Sequence, residues 1–285
     1  MAQFTNQAQL SYNNAVINSN IAVGEILEVL SANKTAVTNT YTPGGDITYV
    51  ISAVNSGATP VSGITVSDNL GAYTFGGTTL YPLTYKDGSV RLYINGVLQQ
   101  TAPTVVAGPP LVFSGITLPA NSNMVLIYEA DVNAFAPLGE DDSIVNTATV
   151  TGDGISTPLT VSETVTPVAE PVLTITKSIG PVPVAENGVV TYTFVIRNSG
   201  NAPADAAANV TLTDTFLPVL SDLTVLLDGV ELDAGTDYTY AITEGDFATV
   251  PGVITVPAAT YTQDPVTGVW SVTPGVTTLT VSGTI

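Results

Sequence analysis

The chain has 285 residues, 45% of them hydrophobic and only 10% charged, with 24 acidic against 5 basic side chains and a net charge of −19. It has no cysteine and no histidine, which excludes disulfides, thiol or imidazole nucleophiles and the usual zinc sites. The charge also argues against nucleic acid or an anionic membrane as partner, since both would repel the protein, and no cofactor is implied.

Short Val/Ile/Thr/Tyr runs alternate with Gly, Pro, Asn and Asp clusters along the whole length, and helical periodicity is nearly absent. This predicts an all-β chain built from sandwiches. The first residues carry neither a basic segment nor an apolar run of signal-peptide type, and no wall anchor is visible at the end. In chain order, Phe4–Leu10 and Asn20–Glu25 read as two strands of an N-terminal hairpin, residues 1–26. A first sandwich is expected over 27–166. Within it, Ile47, Tyr49, Ile51 and Ala53 alternate onto one face, Asn95-Gly96 marks a tight hairpin, and Leu126, Tyr128, Ala130 and Val132 alternate again. It finishes with Ile144–Val150 and Pro158–Glu163 around Gly152-Asp153-Gly154. Residues 167–170 form a linker bounded by Pro167 and Pro171, and 171–285 form a second domain. That domain carries an extra hairpin holding Trp270, the only tryptophan. This ring reads either as a lid over its own core or as a lateral contact.

The second domain repeats the first. Lys34, Thr48-Tyr49 and Asn55-Ser56-Gly57 recur as Lys177, Thr191-Tyr192 and Asn198-Ser199-Gly200. Ser67-Asp68-Asn69-Leu70 answers to Thr213-Asp214-Thr215-Phe216, and Val125–Val132 to Thr278–Ile285. Nothing in the second copy answers to 144–166, but the N-terminal hairpin carries the same pattern.

The segments Leu173–Lys177, Thr191–Gly200, Val210–Thr215 and Val145–Val150 resemble the repeat domain of bacterial and archaeal surface proteins known as domain of unknown function 11. The resemblance runs from about Leu27 to Ile285 and implies an immunoglobulin-like sandwich used as a surface stalk or fibre module, with no catalytic activity attached.

Strand parity turns several polar residues inward. Lys34 shares a face with Leu30 and Ala32, Asp68 with Ile64 and Val66, and Asn146 with Ile144 and Ala148; Lys177, Asp214 and Asn6 repeat this arrangement. Burial drives an amine toward its neutral form and a carboxyl toward its protonated form, as attack of Lys on an Asn amide requires. The set Lys34, Asp68 and Asn146 resembles the isopeptide triads of immunoglobulin-like surface proteins. The intersubunit set would be Lys177, Asp214 and a neighbour's Asn6. The alternative is a buried ion pair with a hydrogen-bonded Asn.

These features point to two tandem immunoglobulin-like β-sandwiches, the second completed by a hairpin donated from a neighbouring subunit. The expected product is an extracellular or cell-surface filament whose only partner is itself. Its subunit contact is expected to use Phe4, Asn6, Ala8, Leu10, Ile21 and Val23 of the donor and Leu279, Val281 and Ile285 of the acceptor strand. An adhesin or carbohydrate-binding module is the alternative. A hydrolase using carboxylates alone would need an inward acidic pair in a cleft, which the sequence does not show.

Overall fold

A computed structural model describes residues 2–26 and 28–285. The expected start of the first sandwich, Leu27, lies outside the described residues. By their contacts the residues divide into two units, Met1–Ala136 with Ser143–Thr166, and Pro137–Asp142 with Pro167–Ile285. Apart from one 3₁₀ turn, Ala206–Ala208, the regular structure is β-strand, and each unit is an immunoglobulin-like sandwich.

In the first unit one sheet has the order Val97–Leu98, Arg91–Ile94, Ser122–Val132, Asp46–Asn55, Leu30–Ala36. The facing sheet runs Thr104–Val106, Leu111–Leu118, Val61–Asp68, Ile144–Thr151, Leu159–Pro167, Thr40–Tyr41. Alternating side chains such as Ile47, Tyr49 and Ile51 from one sheet, and Ile64, Val66 and Phe113 from the other, fill the space between them and are fully buried. This is the period-2 pattern of the sequence converted into a core.

The second unit repeats that five-strand path, as Val230–Glu231, Ser221–Leu227, Gly275–Thr284, Val189–Asn198, Leu173–Gly180, without, among the described residues, a separate counterpart of Leu83–Tyr85, which also pairs with Ser122–Val132 in the first unit. The facing sheet holds Tyr238–Ala241, Asp246–Thr249 and Thr213–Thr215, and among the described residues it stops there. Among the described residues, the places occupied in the first unit by Ile144–Thr151 and Leu159–Pro167 have no occupant in the second.

The repeated Asn-Ser-Gly motif is a structural staple. Asn55 is buried; its amide nitrogen donates to the carbonyls of Thr59 and Pro119, each at 2.9 Å, while its oxygen accepts from Gly57 N–H at 2.9 Å. Asn198 does the same with Ala202 at 2.8 Å, Pro257 at 3.0 Å and Gly200 N–H at 2.9 Å. A buried amide must place all its hydrogen-bonding groups, so the residue that ties the turn to the next strand recurs in both copies.

Candidate functional site: an open sheet edge and a free hairpin

The N-terminal segment is a hairpin in two stretches. Ala2–Asn6 pairs with Ala22–Ile26 and Gln9–Tyr12 with Ala15–Asn18, around a two-residue turn at Asn13 and Asn14. Both turn residues have positive φ, 44° and 64°, the twist that suits a two-residue hairpin loop. Among the described residues these strands pair only with each other. Phe4, Leu10, Tyr12, Val16, Ile17, Ile21 and Val23 are all at least half exposed. An apolar two-stranded ribbon with no core of its own is marginal in water.

The hairpin's own register corrects one expectation. Thr5 pairs with Val23 and Phe4 with Gly24, so Val23 lies on the face opposite Phe4 and Asn6. Parity read along one strand does not fix pairing across two; the turn and the break at Gln7-Ala8 do.

The acceptor expectation is also corrected. The strand Gly275–Thr284 lies inside its sheet, paired with Val189–Asn198 on one side and Ser221–Leu227 on the other, and Leu279 and Val281 are fully buried. Its ladder positions are occupied, so it cannot take a donor strand; the half-buried Ile285 packs against the same core. The last strand in sequence is central in space because antiparallel sandwiches do not lay strands down in chain order. The open edge is instead Thr213–Thr215, which among the described residues pairs only with Asp246–Thr249. In the first unit the corresponding strand, Val61–Asp68, is paired on both sides, and its second neighbour is Ile144–Thr151.

Exposure along the two copies records the missing strands. Leu30 is 5% exposed, but its counterpart Leu173 is 38% exposed, and Ile175 and Ile179 on the same strand are 55% and 48% exposed. A groove of about 310 Å³ opens between this strand and the sheet edge, lined by Leu173, Ile175, Ile196, Val210 and Leu212.

The polar residues singled out by parity do converge. In the first unit Lys34, Asp68 and Asn146 are buried together. Lys34 Nζ donates to Asp68 Oδ2 at 2.5 Å, Tyr128 Oη donates to the same oxygen at 2.6 Å, and Leu70 N–H donates to Oδ1 at 2.9 Å. Asn146 Nδ2 donates to Tyr128 Oη at 3.2 Å, and its Oδ1 accepts from Gly71 N–H at 3.3 Å. The ammonium also lies 4.7 Å from the Tyr49 ring centroid. Burial pushes the Lys34 amine below its ordinary pKa against the opposing pull of Asp68, and it raises the Tyr128 phenol, with the Asp68 charge adding to the rise. Tyr49 and Tyr128 complete the site and were legible only as inward-facing aromatics.

In the second unit Lys177 donates to Asp214, but these side chains are 42% and 19% exposed. Lys177 Nζ lies 4.7 Å from the Tyr192 ring centroid and 5.6 Å from that of Phe216. Asn6, on the free hairpin, is exposed. Trp270 is half-buried on the hairpin Thr260–Gln263 with Trp270–Thr273, outside the cluster of buried core residues.

No family model matches the chain, and no curated protein matches it. Among solved structures it is similar to a C-terminal fragment of the major pilin of Streptococcus agalactiae, with 12% identity over 52% of this chain and 58% of that one and a TM-score of 0.37. It is also similar to the major pilin subunit of Bacillus cereus, with 11% identity, 96% and 73% coverage and a TM-score of 0.36. A third similar structure is the collagen-binding domain of a Staphylococcus aureus adhesin, with 11% identity, 50% and 99% coverage and a TM-score of 0.31. The chain spans little more than half the length of the first of these.

Proposed function

We propose that this chain is a structural subunit of a cell-surface or extracellular filament. In this reading the N-terminal hairpin of one copy enters the open edge of the second sandwich of the next, so that subunits add head to tail. One observation carries it: hairpin 144–166 fills in the first unit the place that is empty in the second, and Phe4–Leu10 repeats its inward pattern while standing exposed. Docking adds main-chain bonds along a strand and covers the apolar groove, the logic of strand addition to a free edge. The contact joins unlike surfaces and so propagates as an open chain.

The inward polar sets add a covalent extension. With one Lys34 ammonium proton taken up by Asp68, Nζ attacks Cγ of Asn146; the new C–N bond forms, a second Nζ proton passes to Nδ2, the Cγ–Nδ2 bond breaks, and the departing ammonia takes the proton from Asp68 and leaves as ammonium. Lys177, Asp214 and a neighbour's Asn6 are the matching set between subunits. Burial of Lys34, Asp68 and Asn146 and the depressed Lys34 amine support this step.

Negative-stain microscopy of the full chain tests the assembly. Long unbranched filaments are expected, and deletion of residues 2–26 should leave short soluble species. A full chain that stays monodisperse at 29.2 kDa across a wide concentration range overturns the reading in favour of a monomeric adhesin module.

A further inference from the structure

Asp68 and Asp214 occupy the same place in the two copies but are not equally satisfied. Asp68 receives the Lys34 ammonium, the Tyr128 hydroxyl and the Leu70 N–H. Asp214 receives Lys177 and the Thr215 N–H, the latter at 3.0 Å. In the repeat Val281 stands where Tyr128 does, so among the described residues no neutral side chain donates to Asp214. The pair is open to solvent, its side chains 42% and 19% exposed.

We propose that the Lys177–Asp214 pair is a register key. The Asn6 amide of a second copy of this chain donates to Asp214, taking the part that Tyr128 plays in the first unit, and so fixes which donor residue lies beside which acceptor residue. The proposal rests on the assembly reading above and adds what that reading lacks. Apolar burial alone does not set the register, because a slip of two residues keeps every side chain on its face. Of the inward positions Phe4, Asn6, Ala8 and Leu10, only Asn6 carries a donor. A strand slipped by two so that Leu10 faces Asp214 would put Ala8 in the place of Asn6, stripping the pair's water and returning no hydrogen bond, and a buried polar group left short of a partner is costly.

The first unit supplies the expected register. Ala148 pairs with Asp68, Thr149 with Ser67 and Val150 with Val66. By the repeat, Ala8 then lies beside Asp214, Gln9 beside Thr213 and Leu10 beside Leu212. Leu10 is thereby carried over the groove lined by Leu173, Ile175, Ile196 and Val210.

The native chain has no cysteine, so engineered pairs in the full-length protein report the register directly. Oxidised filaments of Gln9→Cys/Thr213→Cys should give a ladder of multimers beyond that of the cysteine-free parent, and Ser11→Cys/Thr213→Cys, which the slip that carries Asn6 away from Asp214 would align, should not. Adding Asn6→Leu should raise the critical concentration for assembly by roughly 10- to 100-fold and shift cross-linking toward the slipped pair. On an acceptor carrying Lys177→Met and Asp214→Leu the same Asn6→Leu change should cost nothing. Asn6 and Lys177 are exposed in the free chain, so loss of folding does not imitate these effects. Equal cross-linking of both pairs, or the same Asn6→Leu penalty on both acceptors, overturns the key while filaments still form and leaves the assembly reading standing. A parent that does not assemble overturns both.

Discussion

Replacing Lys34 by Met should destabilise the first sandwich far more than replacing Lys177 by Met destabilises the second in the unassembled chain. The side chains of Lys34 and Asp68 are both 0% exposed, so the Met variant strands a carboxylate in the core with only the Tyr128 hydroxyl and the Leu70 N–H for company. Breaking a buried pair in this way costs about 3–5 kcal/mol. At about 2–4 °C per kcal/mol for a domain of this size, the first unit's transition should fall by roughly 6–20 °C. Lys177 is 42% exposed and its pair is screened by water, so its loss should cost at most about 1 kcal/mol. Calorimetry of the full chain, with the second unit followed through the fluorescence of Trp270, separates the two transitions. Lys34→Met/Asp68→Asn should recover most of the loss, because the amide oxygen still accepts from Tyr128 or Leu70 without carrying a charge. Equal shifts for the two lysines, or a double variant as unstable as the single, would refute this accounting.

The remaining expectations concern chemistry, parity, salt and packing. If Lys34 and Asn146 are joined, intact-mass measurement finds every chain short by one ammonia, and Asn146→Ala restores the full mass less the substitution; an unshifted parent mass shows that the site remains an ion pair. Ala8→Arg, at an inward position of the donor, should block filament growth, whereas Gln7→Arg and Gln9→Arg should permit it; the reverse ranking in sedimentation assays would mean that the donor strand docks by its other face. Because each subunit carries a net charge of −19, assembly should strengthen as salt rises from about 0.01 M to 0.1 M and the screening length falls from about 30 to 10 Å; light scattering that drops over this range would contradict the charge argument. Gly200→Ala would bring a methyl group to 2.1 Å from the Glu170 carbonyl oxygen and 2.7 Å from the Val172 nitrogen, both backbone atoms that cannot swing away. It should destabilise the second unit by about 1–3 kcal/mol, measured by denaturant unfolding.

Much of this protein is written in local patterns. Period-2 alternation gives the strands and their inward faces, and the recurrence of Lys34, Asn55 and Asp68 as Lys177, Asn198 and Asp214 gives the two copies, since residues two apart on a strand must share a face whatever surrounds them. The same parity brings Lys34, Asp68 and Asn146 into one buried cluster from three strands far apart in sequence. Position within a sheet is another matter. Nothing local marks Leu279 and Val281 as central or Thr213–Thr215 as an edge, because that depends on which strands pair across long loops. Nor does alternation along one strand say that Val23 faces away from Phe4, which follows from the turn and the break in the ladder. Only the tertiary structure decides that the same Lys–Asp pair is sealed in one copy and open in the other. The Lys and the Asp are the same in both copies; the difference is that Ile144–Thr151 pairs alongside Asp68, and that Val281 stands where Tyr128 donates to the first carboxylate.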